Sequence, residues 1–162
     1  MGETTLRLEL RASFANRAMV YASFWRVLRR EFGEERAAEL MKQAIRERGE
    51  QIGQQFREHA PADLEGLCNS FLAIIPDGGR MFEPEIMEQD GERLTIQFHR
   101  CPLKEAWLDA GLSEEETAQL CAIVASVDFG TFEGAGFKFS AETWEPGKPG
   151  CCRLHIEPGA AK

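Results

Sequence analysis

The stretch His99-Arg100-Cys101-Pro102 carries the sharpest chemical signal in the chain. An alternating apolar pattern ends there and a helix opens, because Pro102 has no amide hydrogen and a fixed φ that suits a first helical position. Cys101 is then the N-cap, its sulfur facing unpaired backbone N–H groups at the positive end of the helix dipole. Such a setting favours thiolate over thiol, and the thiolate is the nucleophilic form. Arg100 adds positive charge beside it, and His99 adds more when protonated. The same four residues also fit an inert reading, a small apolar side chain closing a strand. Local pattern leaves both open.

Cys121 and Asp128 form the second signal. They lie seven residues apart, about two helical turns, so one helix face carries both, roughly 10 Å apart along its axis. Leu120, Ile123, Val124 and Val127 mark the core side, with Cys121 at its edge. The helix is expected to stop before Gly130, which puts Asp128 at its C-terminus. The dipole disfavours negative charge there, so such an acid calls for a partner or a proton-transfer role. In the last strand, Cys152 alternates inward with Leu154 and Ile156, while Cys151 points outward with Arg153 and His155.

Other candidates carry less. Cys101, Cys121, Cys152 and His99 offer four soft ligands, but their separations lack the paired spacing of zinc sites, so no metal or other cofactor is expected. DFGTFEGAGF has neither the lysine nor the strand-to-helix order of a phosphate loop and reads as an extended connector. Cys68 belongs to an apolar helix face, and His59 caps a helix end.

The elements that must position these groups follow from periodicity. Phe14, Ala18, Tyr21, Trp25, Leu28 and Phe32 recur at three- and four-residue steps, the stripe of an amphipathic helix stopped near Gly33. Ala37, Met41, Ile45, Ile52 and Phe56 mark a second helix, interrupted by Gly49 and Gly53, where a close helix contact or a ligand approach would explain the glycines. Pro61 opens a third helix with Leu64, Leu67, Cys68, Phe71 and Ile75 on its apolar face. Residues 82–89 and 92–99 flank Asp90-Gly91 as a hairpin. Ser113 and Glu116 form a capping box for a helix running to about Val127. Residues 137–144 and 151–157 make a second hairpin. The fold class is α+β, with N-terminal helices, then two hairpins forming an antiparallel sheet and the helices between them packed on one face. One domain is expected over 1–162, its helical part at about 10–76 and its hairpin–helix–hairpin part at about 80–158.

Bulk properties narrow the partners. The chain has 162 residues, 43% hydrophobic and 28% charged, with a net charge of -8. That is a globular composition. Arginines such as Arg26, Arg29, Arg46 and Arg48 are interleaved with glutamates, so no basic stripe serves nucleic acid. No apolar run reaches the roughly 18 residues that cross a bilayer, and the charged N-terminus lacks a signal-like apolar stretch. A cytoplasmic location is expected, and an odd cysteine number fits reduced thiols.

RCPLKEAWLDAGLSEEETAQLC, VDFGTFEGAGFKF and GCCRLHIE together resemble the L-2-amino-thiazoline-4-carboxylic acid hydrolase family, most firmly over residues 90–157. The matching positions are Cys101 with Pro102, Cys121, Asp128, the Gly130–Gly136 segment and Cys152; Cys151 is an extra thiol. The resemblance implies hydrolytic opening of a small cyclic amidine to a carbamoyl-cysteine. For that chemistry Cys101 as thiolate attacks C2 of the ring with Asp128 donating a proton to the departing ring atom, or water attacks directly with Asp128 as base. Cys121 is a further catalytic candidate, and His99, Arg100, Cys152 and Arg153 are candidates for substrate contact, an arginine fork holding the carboxylate. The element order is also similar to vinyl-4-reductase-like domains, small α+β modules, often homodimers, with a buried ligand pocket. That likeness keeps a non-catalytic ligand or metal sensor as the alternative.

Overall fold

The structure, a computed structural model, describes residues 2–161. Its elements are α1 (Glu3–Phe32), α2 (Glu34–Gly53), α3 (Leu64–Ala73), β1 (Pro84–Gln89), β2 (Leu94–Phe98), α4 (Pro102–Asp109), α5 (Glu114–Val124), α6 (Ser126–Ala135), β3 (Lys138–Glu142) and β4 (Arg153–Glu157). This is the expected α+β class, with the helices first. The sheet is antiparallel in the order β1-β2-β4-β3, so β2 and β4 form its centre.

Two apolar cores share the chain. The first joins Phe14, Ala18 and Trp25 of α1 to Met41 and Ile45 of α2, Trp107 of α4 and Leu120 of α5. The second lies under the sheet, where Leu94, Ile96, Leu154 and Ile156 meet Phe56, Leu67, Phe71 and Phe132. Thus α3 and α6 cover the sheet, while α4 and α5 pack with α1 and α2. Phe82 and Cys151 touch both cores.

The stretch read as an extended connector is helical. Residues Ser126–Ala135 form α6, and Ala125 joins α5 to α6 in helical conformation. The reason lies in α2. A Cβ on Gly49 would overlap the Val127 carbonyl, one on Gly53 the Thr131 carbonyl, and one on Gly130 the Arg46 carbonyl. Gly134 sits against Glu50. The two Gly-x-x-x-Gly rows face each other, so the helices cross backbone to backbone. Close packing at this crossing offsets the poor helix propensity of glycine, about 1 kcal/mol each. Arg46 spans it through Glu50 and Glu133.

Smaller differences have local causes. The third helix starts at Leu64, not Pro61, because Asp63 accepts the Gly66 amide as its N-cap. The first hairpin turns over residues 90–93, with Asp90 Oδ1 accepting the Glu92 and Arg93 amides at 2.8 Å each. All five residues of β2 are buried, where alternation predicts half; Thr95 and Gln97 are covered by neighbours on the outer face.

Gly49→Ala or Gly130→Ala is expected to lower stability by about 2 kcal/mol or more through overpacking, although alanine is the better helix former. Gly91→Ala, with nothing within 4 Å of its Cβ position, serves as the neutral comparison in urea unfolding.

Candidate functional site

Cys101 is placed by two anchors on α4. Trp107 Nε1 donates to the Ala18 carbonyl at 2.7 Å, fixing α4 on α1, and Lys104 Nζ donates to the Gly150 carbonyl. The second anchor brings in the chain that carries Cys151 and Cys152. Cys151 N donates to Phe98 O and Phe98 N donates to Cys152 O, both at 2.9 Å. This ladder extends the β2–β4 pairing to within three residues of Cys101. Cys151 Sγ lies 3.7 Å from Cys152 Sγ, and its sulfur also acts on Cys101 and on Cys121, from α5. Four of the five cysteines therefore gather where the two cores meet.

Electrostatics there differ from the expectation of a poised thiolate. Cys101 does precede α4, but its side chain makes no capping hydrogen bond. Its thiol is held well above the ordinary cysteine range, first by the neighbouring Cys151 sulfur and then by burial. The Leu103 and Lys104 amides pull the other way and do not win. Cys121 is raised by the same causes, Cys151 first and burial second. A charge shared among adjacent sulfurs in a low-dielectric setting costs more than two amides return. Cys101 and Cys121 are therefore both pushed toward the neutral thiol.

Asp128 is shifted far from an ordinary carboxyl. It lies in the first turn of α6 rather than at a helix C-terminus, because the helix restarts after Ala125. The dipole there favours its charge, yet burial pushes its carboxyl up to about 7. The residue keeps some accessible surface, but it has no hydrogen-bond or ion-pair partner among the described residues. Asp128 stands one turn before Phe132, whose ring packs in the core beneath the sheet. Two further polar atoms lack partners: Trp25 Nε1 and Thr117 Oγ1 are buried and unpaired among the described residues. Thr117 is one turn before Cys121 on α5, so both look into the same core.

The remaining candidates face elsewhere. His99 Nε2 is 2.6 Å from Glu85 Oε2 on the exposed side of the first hairpin. Arg100 is held by both Glu105 oxygens, at 2.8 and 2.9 Å, and faces Glu83. It lines a cleft of about 370 Å³ between α1 and α4 together with Arg11, Met19 and Asp109. Arg153 donates through Nε to Gln97 Oε1 on the outer face of the sheet, away from the thiols. Among the described residues, no three of His, Cys, Asp or Glu are disposed to hold a metal ion.

A family model described as L-2-amino-thiazoline-4-carboxylic acid hydrolase matches residues 13–156. The chain belongs to this family. No curated protein and no solved structure matches it. The match also takes in α1 to α3, where residue patterns alone are not distinctive. Within this hydrolase family member, Cys151 is the residue that sequence reasoning placed on the wrong side. The pleat rule sent it outward with Arg153, but β4 begins only at Arg153, and Gly150 (φ +74°) turns the chain just before Cys151. The adjacent glycine was the available signal.

Two measurements check these assignments. Native Cys101 and Cys121 are expected to alkylate with iodoacetamide at pH 7 much more slowly than the same residues in urea, read by peptide mass spectrometry. Asp128 has a folded pKa of about 7, above the value of about 4 in an unfolded chain. The native state binds its proton more tightly, so its contribution to stability is full below pH 4 and is lost as pH rises to about 7. Asp128→Asn is therefore expected to raise Tm at pH 8 and to gain less at pH 5.

Proposed function

We propose that this chain hydrolyses a small cyclic amidine, with L-2-amino-thiazoline-4-carboxylate as the reference substrate and a carbamoyl-cysteine as product. The observation that carries the reading is Asp128, an unpaired carboxyl titrating near neutrality in a chain of this hydrolase family. Such a group suits both proton transfers of a ring opening. As carboxylate it takes a proton from water while the oxygen adds to C2, the carbon between ring nitrogen and ring sulfur. As acid it returns that proton to the ring sulfur when the C2–S bond breaks. The ring nitrogen, made basic as the C2=N bond is lost, takes the hydroxyl proton as the C2 carbonyl forms, giving an N-carbamoyl product with an N–H and a free thiol.

In this reading Cys101, Cys121 and Cys152 line the reacting centre, Cys101 and Cys121 as neutral thiols, and water is the nucleophile. Protonated sulfurs support that order over attack by Cys101. Trp25 Nε1 and Thr117 Oγ1 support a polar guest beside Cys121, since buried polar groups without partners are uncommon. The same two atoms favour the second reading, a domain that binds a small polar ligand without turning it over. The reading extends to a cytoplasmic homodimer. Five unpaired cysteines suit a reducing compartment, and Val20, Phe24 and Val27 form an exposed apolar row on α1 that suits a second copy.

The test is turnover of L-2-amino-thiazoline-4-carboxylate followed by release of free thiol. Asp128→Asn is expected to lower kcat about a hundredfold to ten-thousandfold. Wild-type kcat/KM is expected to rise with pH through about 7, because the base must be deprotonated. Cys101→Ser retains most activity if water attacks directly and loses nearly all of it if the sulfur does. Saturable binding with no turnover supports the second reading instead.

A further inference from the structure

The outer face of the sheet carries a group of side chains that the ring-opening reading leaves unused. Two cross-strand rows run over β2, β4 and β3. One is Thr95, His155 and Ser140; the next is Gln97, Arg153 and Glu142, each row in direct register. Thr95, His155, Ser140 and Arg153 from these rows line an open groove of about 670 Å³ with Met87, Glu88, Arg93 and Glu157; Gln97 and Glu142 flank it in the ladder. Polar residues on a solvated sheet face are ordinary. What is not ordinary is how their charges are distributed.

The acids around Arg153 each make their nearest contact with another side chain. Glu142, opposite Arg153 in the ladder, instead takes His155 Nε2 at 2.7 Å. His155 Nδ1 is in turn 3.2 Å from Thr95 Oγ1, which fixes the ring. Glu88 and Glu157 both lean toward Arg93, at 3.8 and 3.7 Å. Arg153 is held by a neutral group: its Nε donates to Gln97 Oε1 at 2.9 Å. Gln97 is only 9% exposed and is itself locked, its amide donating to the Phe98 and Cys152 carbonyls. A buried amide, anchored at two backbone oxygens, thus orients a guanidinium whose terminal nitrogens have no hydrogen-bond partner among the described residues, with Glu142 acting on it only through space.

We propose that this face is a binding site for a small oxyanion, a carboxylate or a phosphate. The two terminal nitrogens of Arg153 supply the fork that such a group accepts, and Ser140, exposed on the neighbouring strand, adds a hydroxyl donor. Gln97 acts as a positioning residue, because it holds the fork without competing for it. The site lies on the opposite side of the sheet from the sulfur cluster and does not depend on the ring-opening reading.

Inorganic phosphate and N-acetylglycine are the probes, titrated separately into the intact protein at low ionic strength and followed by calorimetry and thermal shift. Saturable binding of at least one, at about millimolar Kd or tighter, is expected. Saturation by phosphate alone assigns the site to phosphoryl groups, and by N-acetylglycine alone to carboxylates. Arg153→Lys keeps the charge but loses the fork and is expected to weaken binding about tenfold. Gln97→Ala leaves net charge unchanged and is expected to weaken it several-fold. Ser113→Ala, far from the groove, is the control for altered stability. A response that never saturates for either probe, or one that Arg153→Lys and Gln97→Ala leave intact in folded protein, overturns the proposal.

Discussion

The backbone-to-backbone crossing of α2 and α6 is the constraint on which the rest of the structure depends. Gly49 and Gly53 meet Gly130 and Gly134 with no space for a methyl group on most of them. Only at this separation does α6 lie close enough to α2 to sit beneath the sheet with Phe132 in the second core. The crossing also forces the helix to restart at Ser126. That restart puts Asp128 in a first turn, half-buried and without a partner among the described residues.

The sulfur cluster shows which of two opposed effects prevails. A helix N-terminus favours a thiolate, and the Leu103 and Lys104 amides do act on Cys101 in that sense. The adjacent Cys151 sulfur and the loss of solvent act against it more strongly. The same pair of causes, in the same order, raises Cys121. Burial without a counter-charge acts in the same direction on thiols and on Asp128, toward the neutral form. For both kinds of group the result is a tighter hold on the proton than the same side chain has in water.

The sheet separates two chemistries. Its inner face is apolar, with Leu94, Ile96, Leu154 and Ile156 fully buried, and ends at the four sulfurs. Its outer face is a network of polar pairs in which the Arg153 side chain is hydrogen-bonded by an amide rather than by an acid. The alternation of β4 sends Arg153 and His155 one way and Leu154 and Ile156 the other. Residues close in sequence to Cys152 therefore serve a different surface from Cys152 itself.

What the sequence determined by itself was local. The stripe of α1, the capping box of Ser113 and Glu116, the start of α4 at Pro102 and both hairpins depend on near neighbours, and each was legible in residue order. So was the family, because RCPLKEAW and the segments after it keep their types and spacing along the chain. Tertiary structure alone decided that a glycine-rich stretch is a helix, since the stabilising partner is a second glycine row some eighty residues away. It likewise decided the protonation of Cys101 and Asp128 and the company kept by Cys151, Arg100 and Arg153. Those properties depend on which groups exclude water and which supply an opposing charge, and both come from elements distant in sequence. Periodicity can show that a residue faces inward, but what it meets there is fixed by packing.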